Sequence, residues 1–162
     1  MSKKNYKSIA VRLLEEKGIN IIQHEYPHGK EVVDGLTVAR LIGMPAGKVY
    51  KTLVTKGIDD LPRVFVIPVD SHLSLKKAAK AAKIKHLEML NSRDIVGITG
   101  YVRGGCSPVG MKKKYETFIH EAALKEDTII VSAGKIGYQI EIAPKDLARA
   151  VEAEFFDLVD KL

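Results

Sequence analysis

Apolar residues at Ile9, Leu13 and Leu14 recur at helical spacing between Asn5 and Lys17, and the run stops before Gly18, so a helix with a glycine terminus is predicted there. Ile19 to Tyr26 alternates in the manner of a strand and is broken by Pro27. Thr37 to Ile42 reads as a short helix ended by Gly43 and Pro45. Val49 to Thr55 and Val64 to Val69 are rich in β-branched and apolar residues. The Gly-Ile-Asp-Asp-Leu-Pro stretch between them predicts a hairpin. Ser74 to Lys83, made largely of alanine and lysine, predicts a helix, and Asp94 to Ile98 a short one. Thr117 to Ala122 reads as a strand, and Thr128 to Ser132 with Tyr138 to Ile142 as two arms of a hairpin around Ala133 to Gly137. Pro144 suits the first turn of a last helix reaching about Ala153.

Strands thus come singly, in hairpins and between helices, without a βαβ rhythm. That pattern predicts an α+β fold on a mixed, barrel-like sheet with surrounding helices, and the 162 residues are most simply one domain with a sizeable core. Apolar residues at 46% and charged residues at 28% are those of a globular protein. No apolar run approaches the roughly 20 residues that cross a bilayer, and no signal-like stretch follows the lysine-rich start, so a cytoplasmic protein is expected. A single cysteine leaves no internal disulfide and agrees with a reducing compartment. The excess of 26 Lys and Arg over 20 Asp and Glu, a net charge of +6, favours an acidic partner, nucleic acid being the usual one.

Candidate chemistry concentrates between Thr99 and Lys114, where four glycines and a proline precede Lys112, Lys113 and Lys114. The cluster suits either an anion held against exposed amides or a surface loop followed by a solvated charge run. Its Gly-Gly-Cys-Ser-Pro-Val-Gly spacing fits neither a P-loop nor a dinucleotide fingerprint. Cys106 has no histidine near it in sequence and reads better as a small apolar side chain than as a nucleophile. His24 and His28 flank Tyr26 but lack a third ligand for a metal, so Tyr26 as a polar handle in a cleft is preferred. Lys51 shares a strand face with Val49 and Leu53. Either that face is exposed, or Lys51 sits in a partly apolar cleft where its ammonium could hold a phosphate or polarise a carbonyl. Lys76, Lys80 and Lys83 form a basic stripe on one side of their helix, with Lys77 and Lys85 nearby. The stripe is either a solvated face or a track for a phosphate backbone.

Three motifs then occur in order: Val49-Tyr50-Lys51-Thr52-Leu53, the Gly104 to Gly110 loop with its lysines, and Val131-Ser132-Ala133-Gly134-Lys135-Ile136-Gly137. Together they resemble the YbaK/EbsC family of bacterial Cys-tRNA(Pro) deacylases, over nearly the whole chain to Leu147. The resemblance implies a trans-editing enzyme that removes cysteine mistakenly attached to proline tRNA. Lys51 matches the family's essential lysine, Tyr26 its cleft tyrosine, and Gly104 and Ser132 fall on glycine and serine positions of its site. Thr52 adjoins the lysine, Ser107 lies in the loop motif, and both are expected, with Tyr26 and Ser132, to bind the substrate. Relatives carry aspartates where this chain has His120 and Gln139.

The chemistry implied needs no protein nucleophile and no metal or organic cofactor. The substrate's own thiol attacks its ester carbonyl, tRNA leaves, and water later opens a small cyclic thioester. On this reading amides of Gly104 and Gly105 face the oxyanion and Lys51 fixes the terminal adenosine phosphate or the reacting ester. Lys76, Lys80, Lys83, Lys112 and Lys113 would follow the tRNA, whose acceptor end is the partner, with prolyl-tRNA synthetase as a possible second one. Alternatives from the same residues are an alanine-removing enzyme in which water attacks directly, and a non-catalytic binding module for tRNA or a nucleotide.

Overall fold

A computed structural model describes residues 7–160 of the chain. Helix α1 (Ile9–Glu16) leads to strand β1 (Ile22–Glu25), helix α2 (Gly35–Leu41) and the long hairpin of β2 (Tyr50–Gly57) and β3 (Pro62–Pro68). Helix α3 (Leu75–Ala82), strand β4 (Leu87–Met89) and helix α4 (Ile95–Thr99) follow. After the glycine loop come β5 (Glu116–His120), the hairpin β6 (Ile129–Lys135) and β7 (Tyr138–Ile142), helix α5 (Pro144–Val151) and β8 (Glu154–Phe156).

Helices α1, α2 and α3 start at polar residues that replace missing backbone acceptors. Ser8 accepts from the Val11 amide at 3.2 Å, and Ser74 from the Lys77 amide at 3.1 Å. Asp34 accepts from both the amide and the hydroxyl of Thr37, at 2.9 and 3.0 Å, so α2 begins two residues earlier than the apolar pattern predicts.

Two sheets result. In the larger, ordered β4-β2-β3-β5-β8, β3 pairs antiparallel with β2 and parallel with β5. As the central strand, β3 is buried on both sides. Val64 and Val66 face a core with Leu14, Ile140 and Leu147, whereas Phe65 and Ile67 face one with Ala78, Leu87 and Phe118. The smaller sheet, β1-β7-β6, is antiparallel throughout. A parallel bridge from Val49 to Ile130 links the sheets, and around it Ala39 of α2 packs with Val49, Val69 and Ile130. The α+β class is as predicted, but hydrogen bonding joins the strands into two sheets and no closed barrel is found among the described residues.

The remaining differences have local causes. Strands β4 and β8, three residues each, are too short to show a period and owe their form to pairing with β2 and β5. The last helix stops at Val151 because Glu152 adopts a left-handed φ of 54° that turns the chain into β8. The strand predicted to Ala122 ends at His120, where a 3-10 turn takes over. Asn5, the predicted start of the first helix, lies outside the described residues. No helix among the described residues is long and apolar enough to cross a membrane.

Candidate active site

Where the two sheets meet, a cleft of about 440 Å³ opens between the start of β2, the N-terminal end of α2, the α4 approach and the glycine loop. Lys51, Thr52, Gly104 and Ser132 all line it, together with Cys106. The cleft reading of Lys51 is therefore the one the fold adopts. Lys51 is half-buried opposite Ile67 in the β2–β3 hairpin, and burial pulls its ammonium below the ordinary lysine pKa while the charge of Asp70 opposes the shift. No carboxylate reaches it as an ion-pair partner among the described residues. A partly desolvated, unpaired cation attracts negative charge more strongly than one in bulk water.

The glycine loop is held by contacts that only a bare backbone permits. Gly105 lies so close to the β6–β7 turn that an added Cβ would sit 3.1 Å from the Ile136 nitrogen, and its N–H donates to the Val102 carbonyl at 3.0 Å. This amide is engaged and Gly105 does not line the cleft, which corrects the expectation of two neighbouring donors facing an anion. Gly104 does line it, at a φ of +83° that disfavours a side chain, with Val32 where its Cβ would be. Among the described residues no hydrogen-bond partner is found for the Gly104 amide. Tyr101 anchors the loop by donating its hydroxyl to the Val109 carbonyl at 2.5 Å, its ring lying against Gly134 of β6.

Other candidates are placed elsewhere. Tyr26 is buried with its ring edge-on to His28 and its amide bonded to the Gly137 carbonyl, and it is not among the residues that line the cleft. Ser107 is fully buried and its hydroxyl accepts from the Val109 amide, a role inside the loop. Lys76, Lys80 and Lys83 are exposed along α3 and its end but do not line the cleft, whereas Lys77 turns away to Asp157 and the Val159 carbonyl. Lys112 donates to the Gly97 carbonyl, Lys113 is exposed, and Lys114 pairs with Glu152. His120 is buried away from the cleft and accepts from the Leu158 amide. His24 pairs with Glu141 at 2.8 Å. Among the described residues no three His, Cys, Asp or Glu side chains gather as a metal site would require.

Asp34, Arg103 and Gln139 also line the cleft and were not expected there. Asp34 could have been found as the helix cap before Thr37. Gln139 was visible only as a departure from the family pattern. Nothing in the sequence around Arg103 ranks it above the other basic residues. At Cys106, expected to pack as a small apolar side chain, burial pushes the thiol pKa up to about 11, with a hydrogen bond from Thr99 offsetting only part of the shift.

The sequence matches the aminoacyl-tRNA editing domain family over residues 30–150. It is 40% identical, over 98% of its length and 97% of the relative's, to an Enterococcus faecalis protein provisionally named Cys-tRNA(Pro)/Cys-tRNA(Cys) deacylase EbsC. A crystal structure provisionally described as a trans-editing enzyme for prolyl tRNA synthetase superposes with a TM-score of 0.80 at 22% identity, over 96% of this chain and all of the other. That of hypothetical protein APE2540 does so with 0.82 at 20% identity, over 92% and 97% of the two chains. These two show the fold. The family match, reinforced by near full-length identity to the Enterococcus protein, shows that this chain belongs to the aminoacyl-tRNA editing domain family.

Proposed function

We propose that the chain hydrolyses cysteine from mischarged proline tRNA, with the substrate's own thiol as the first nucleophile. The observation that carries this reading is the composition of the cleft: among the described residues, a half-buried lysine without an ion-pair partner and a glycine amide without a hydrogen-bond partner stand beside a thiol whose pKa burial pushes up to about 11. The name of the Enterococcus relative and the description of the trans-editing structure point to the same substrate class.

In the first step the cysteinyl sulfur attacks its own ester carbonyl carbon. A C–S bond forms, and the carbonyl oxygen takes negative charge in the tetrahedral intermediate. Lys51 stabilises that charge electrostatically, and the Gly104 N–H supplies a hydrogen bond to it. Collapse breaks the bond to the ribose oxygen, which leaves with the proton that the thiol has lost. The four-membered thioester released is then opened by water to free cysteine. Because attacking atom and carbonyl belong to one molecule, the protein needs chiefly to hold the reactive conformer, for which effective molarities of about 10⁵ M and above are available. Thr52 and Ser132 complete the wall around the aminoacyl group. The exposed lysines of α3, with Lys113, offer charge to the acceptor stem at longer range. Prolyl-tRNA synthetase is the natural presenter of the charged tRNA.

Proline tRNA charged separately with cysteine, serine and alanine tests the mechanism. Serine differs only in the attacking atom and alanine has none. Rapid loss of cysteine with slow loss of the other two is expected. Equal loss of all three would replace thiol attack by direct attack of water.

A further inference from the structure

The cleft holds a second cation with no assigned partner. Arg103 lines its wall, is exposed, and makes no ion pair among the described residues. Its position on the chain is fixed, since the Gly105 to Val102 hydrogen bond closes the turn that carries it and Gly104 is wedged against Val32. The carboxylate on the wall, Asp34, has both oxygens occupied by Thr37 at the start of α2. Two cations and one engaged carboxylate leave the lining with a charge that an anionic ligand would balance.

Lys51 and Arg103 sit at different depths: the first is half-buried on a strand of the sheet, the second exposed on a loop. Resting on the deacylase reading, one substrate offers two negative centres at matching depths. A cleft of about 440 Å³ accommodates an aminoacyl group with its nucleoside, but not the polynucleotide behind them. The phosphodiester joining that nucleoside to the rest of the tRNA therefore lies at the mouth. The ester, where charge develops only during reaction, lies within. We infer that Arg103 holds the phosphodiester on the 5′ side of the terminal adenosine, leaving Lys51 to the reacting ester. The guanidinium fork suits phosphate oxygens better than an ammonium does. A permanent charge bound equally in ground and transition states tightens binding without speeding the chemical step.

The test compares wild type, Arg103→Ala and Arg103→Lys on two substrates, cysteinyl-tRNA(Pro) and cysteinyl-adenosine, which lacks the phosphodiester. In Arg103→Ala the ratio of kcat/KM for the tRNA to that for the adenosine ester should fall about tenfold, through KM, with partial recovery in Arg103→Lys. An unchanged ratio, or an equal fall in kcat on both substrates, would overturn the assignment. If wild type cleaves neither ester, the deacylase reading fails by itself, and Arg103 is then decided by binding of uncharged proline tRNA across a salt series. A slope of log K against log salt shallower by about 0.7 in Arg103→Ala would uphold the phosphate contact, and identical slopes would remove it.

Discussion

Cys106 lines the cleft as the chain's single thiol, and a cysteine so placed invites the idea that the protein supplies its own nucleophile. The structure argues against it with a number. An ordinary thiol with a pKa near 8.5 is roughly one-tenth thiolate at pH 7.5. With the pKa pushed up to about 11, the thiolate falls to about 3 in 10,000, roughly 300-fold lower. The more basic thiolate is also more nucleophilic, and a Brønsted coefficient of about 0.4–0.5 returns roughly tenfold of that loss. Alkylation of Cys106 by iodoacetamide at pH 7.5 should therefore run about 20- to 30-fold slower than in the urea-unfolded chain, before any steric shielding. Its rate should keep rising with pH, tenfold per unit, past the pH where the unfolded chain levels off. Followed by intact-mass spectrometry, these are simple rates to obtain. Cys106→Ala, which preserves the backbone of the loop, should retain deacylation of Cys-tRNA(Pro) within a few-fold. Alkylation as fast as in the unfolded chain, or a loss of hydrolysis of 100-fold or more in Cys106→Ala, would refute the reasoning and make the protein thiol the nucleophile.

Two further predictions concern stability. The Tyr50 hydroxyl is buried without a hydrogen-bond partner among the described residues, so Tyr50→Phe should leave the protein as stable or raise stability by about 1 kcal/mol in urea unfolding; a loss of that size would reveal an unseen partner. Gly35 lies so close to Val69 that an added Cβ would fall 2.4 Å from Cγ1, so Gly35→Ala should cost about 1–3 kcal/mol by displacing α2 from the cleft wall. Gly29, with open space around it, is the control, and Gly29→Ala should change the unfolding midpoint little; equal effects of the two would show that Gly35 is not a packing constraint.

The fold was legible wherever a local rule decides it. The β2–β3 hairpin follows from two β-rich runs around a turn sequence, α3 from its alanine and lysine content, and α5 from Pro144. Strand alternation also put Lys51, Val49 and Leu53 on one face, but whether that face met water depended on α2 and the glycine loop closing over it. Such closure is tertiary: Val32 against Gly104 joins segments about 70 residues apart and is announced by neither. Tyr26 shows the same limit in reverse. Alternation and family resemblance suggested a cleft side chain, yet packing against His28 and pairing with Gly137 bury it. Arg103 carries no sequence signal, because its place on the cleft wall and its lack of an ion pair among the described residues both depend on tertiary packing.

Lys51 bears the central claim, and its removal tests that claim most directly. Lys51 makes no ion pair among the described residues, so Lys51→Ala should fold as the parent does, which circular dichroism and the urea midpoint will check. Release of cysteine from Cys-tRNA(Pro) under single-turnover conditions, without added metal, should then fall by at least 100-fold, as the loss of a preorganised charge at an oxyanion requires. Near-parental turnover in a folded Lys51→Ala protein would contradict the account and move the chemistry away from this lysine.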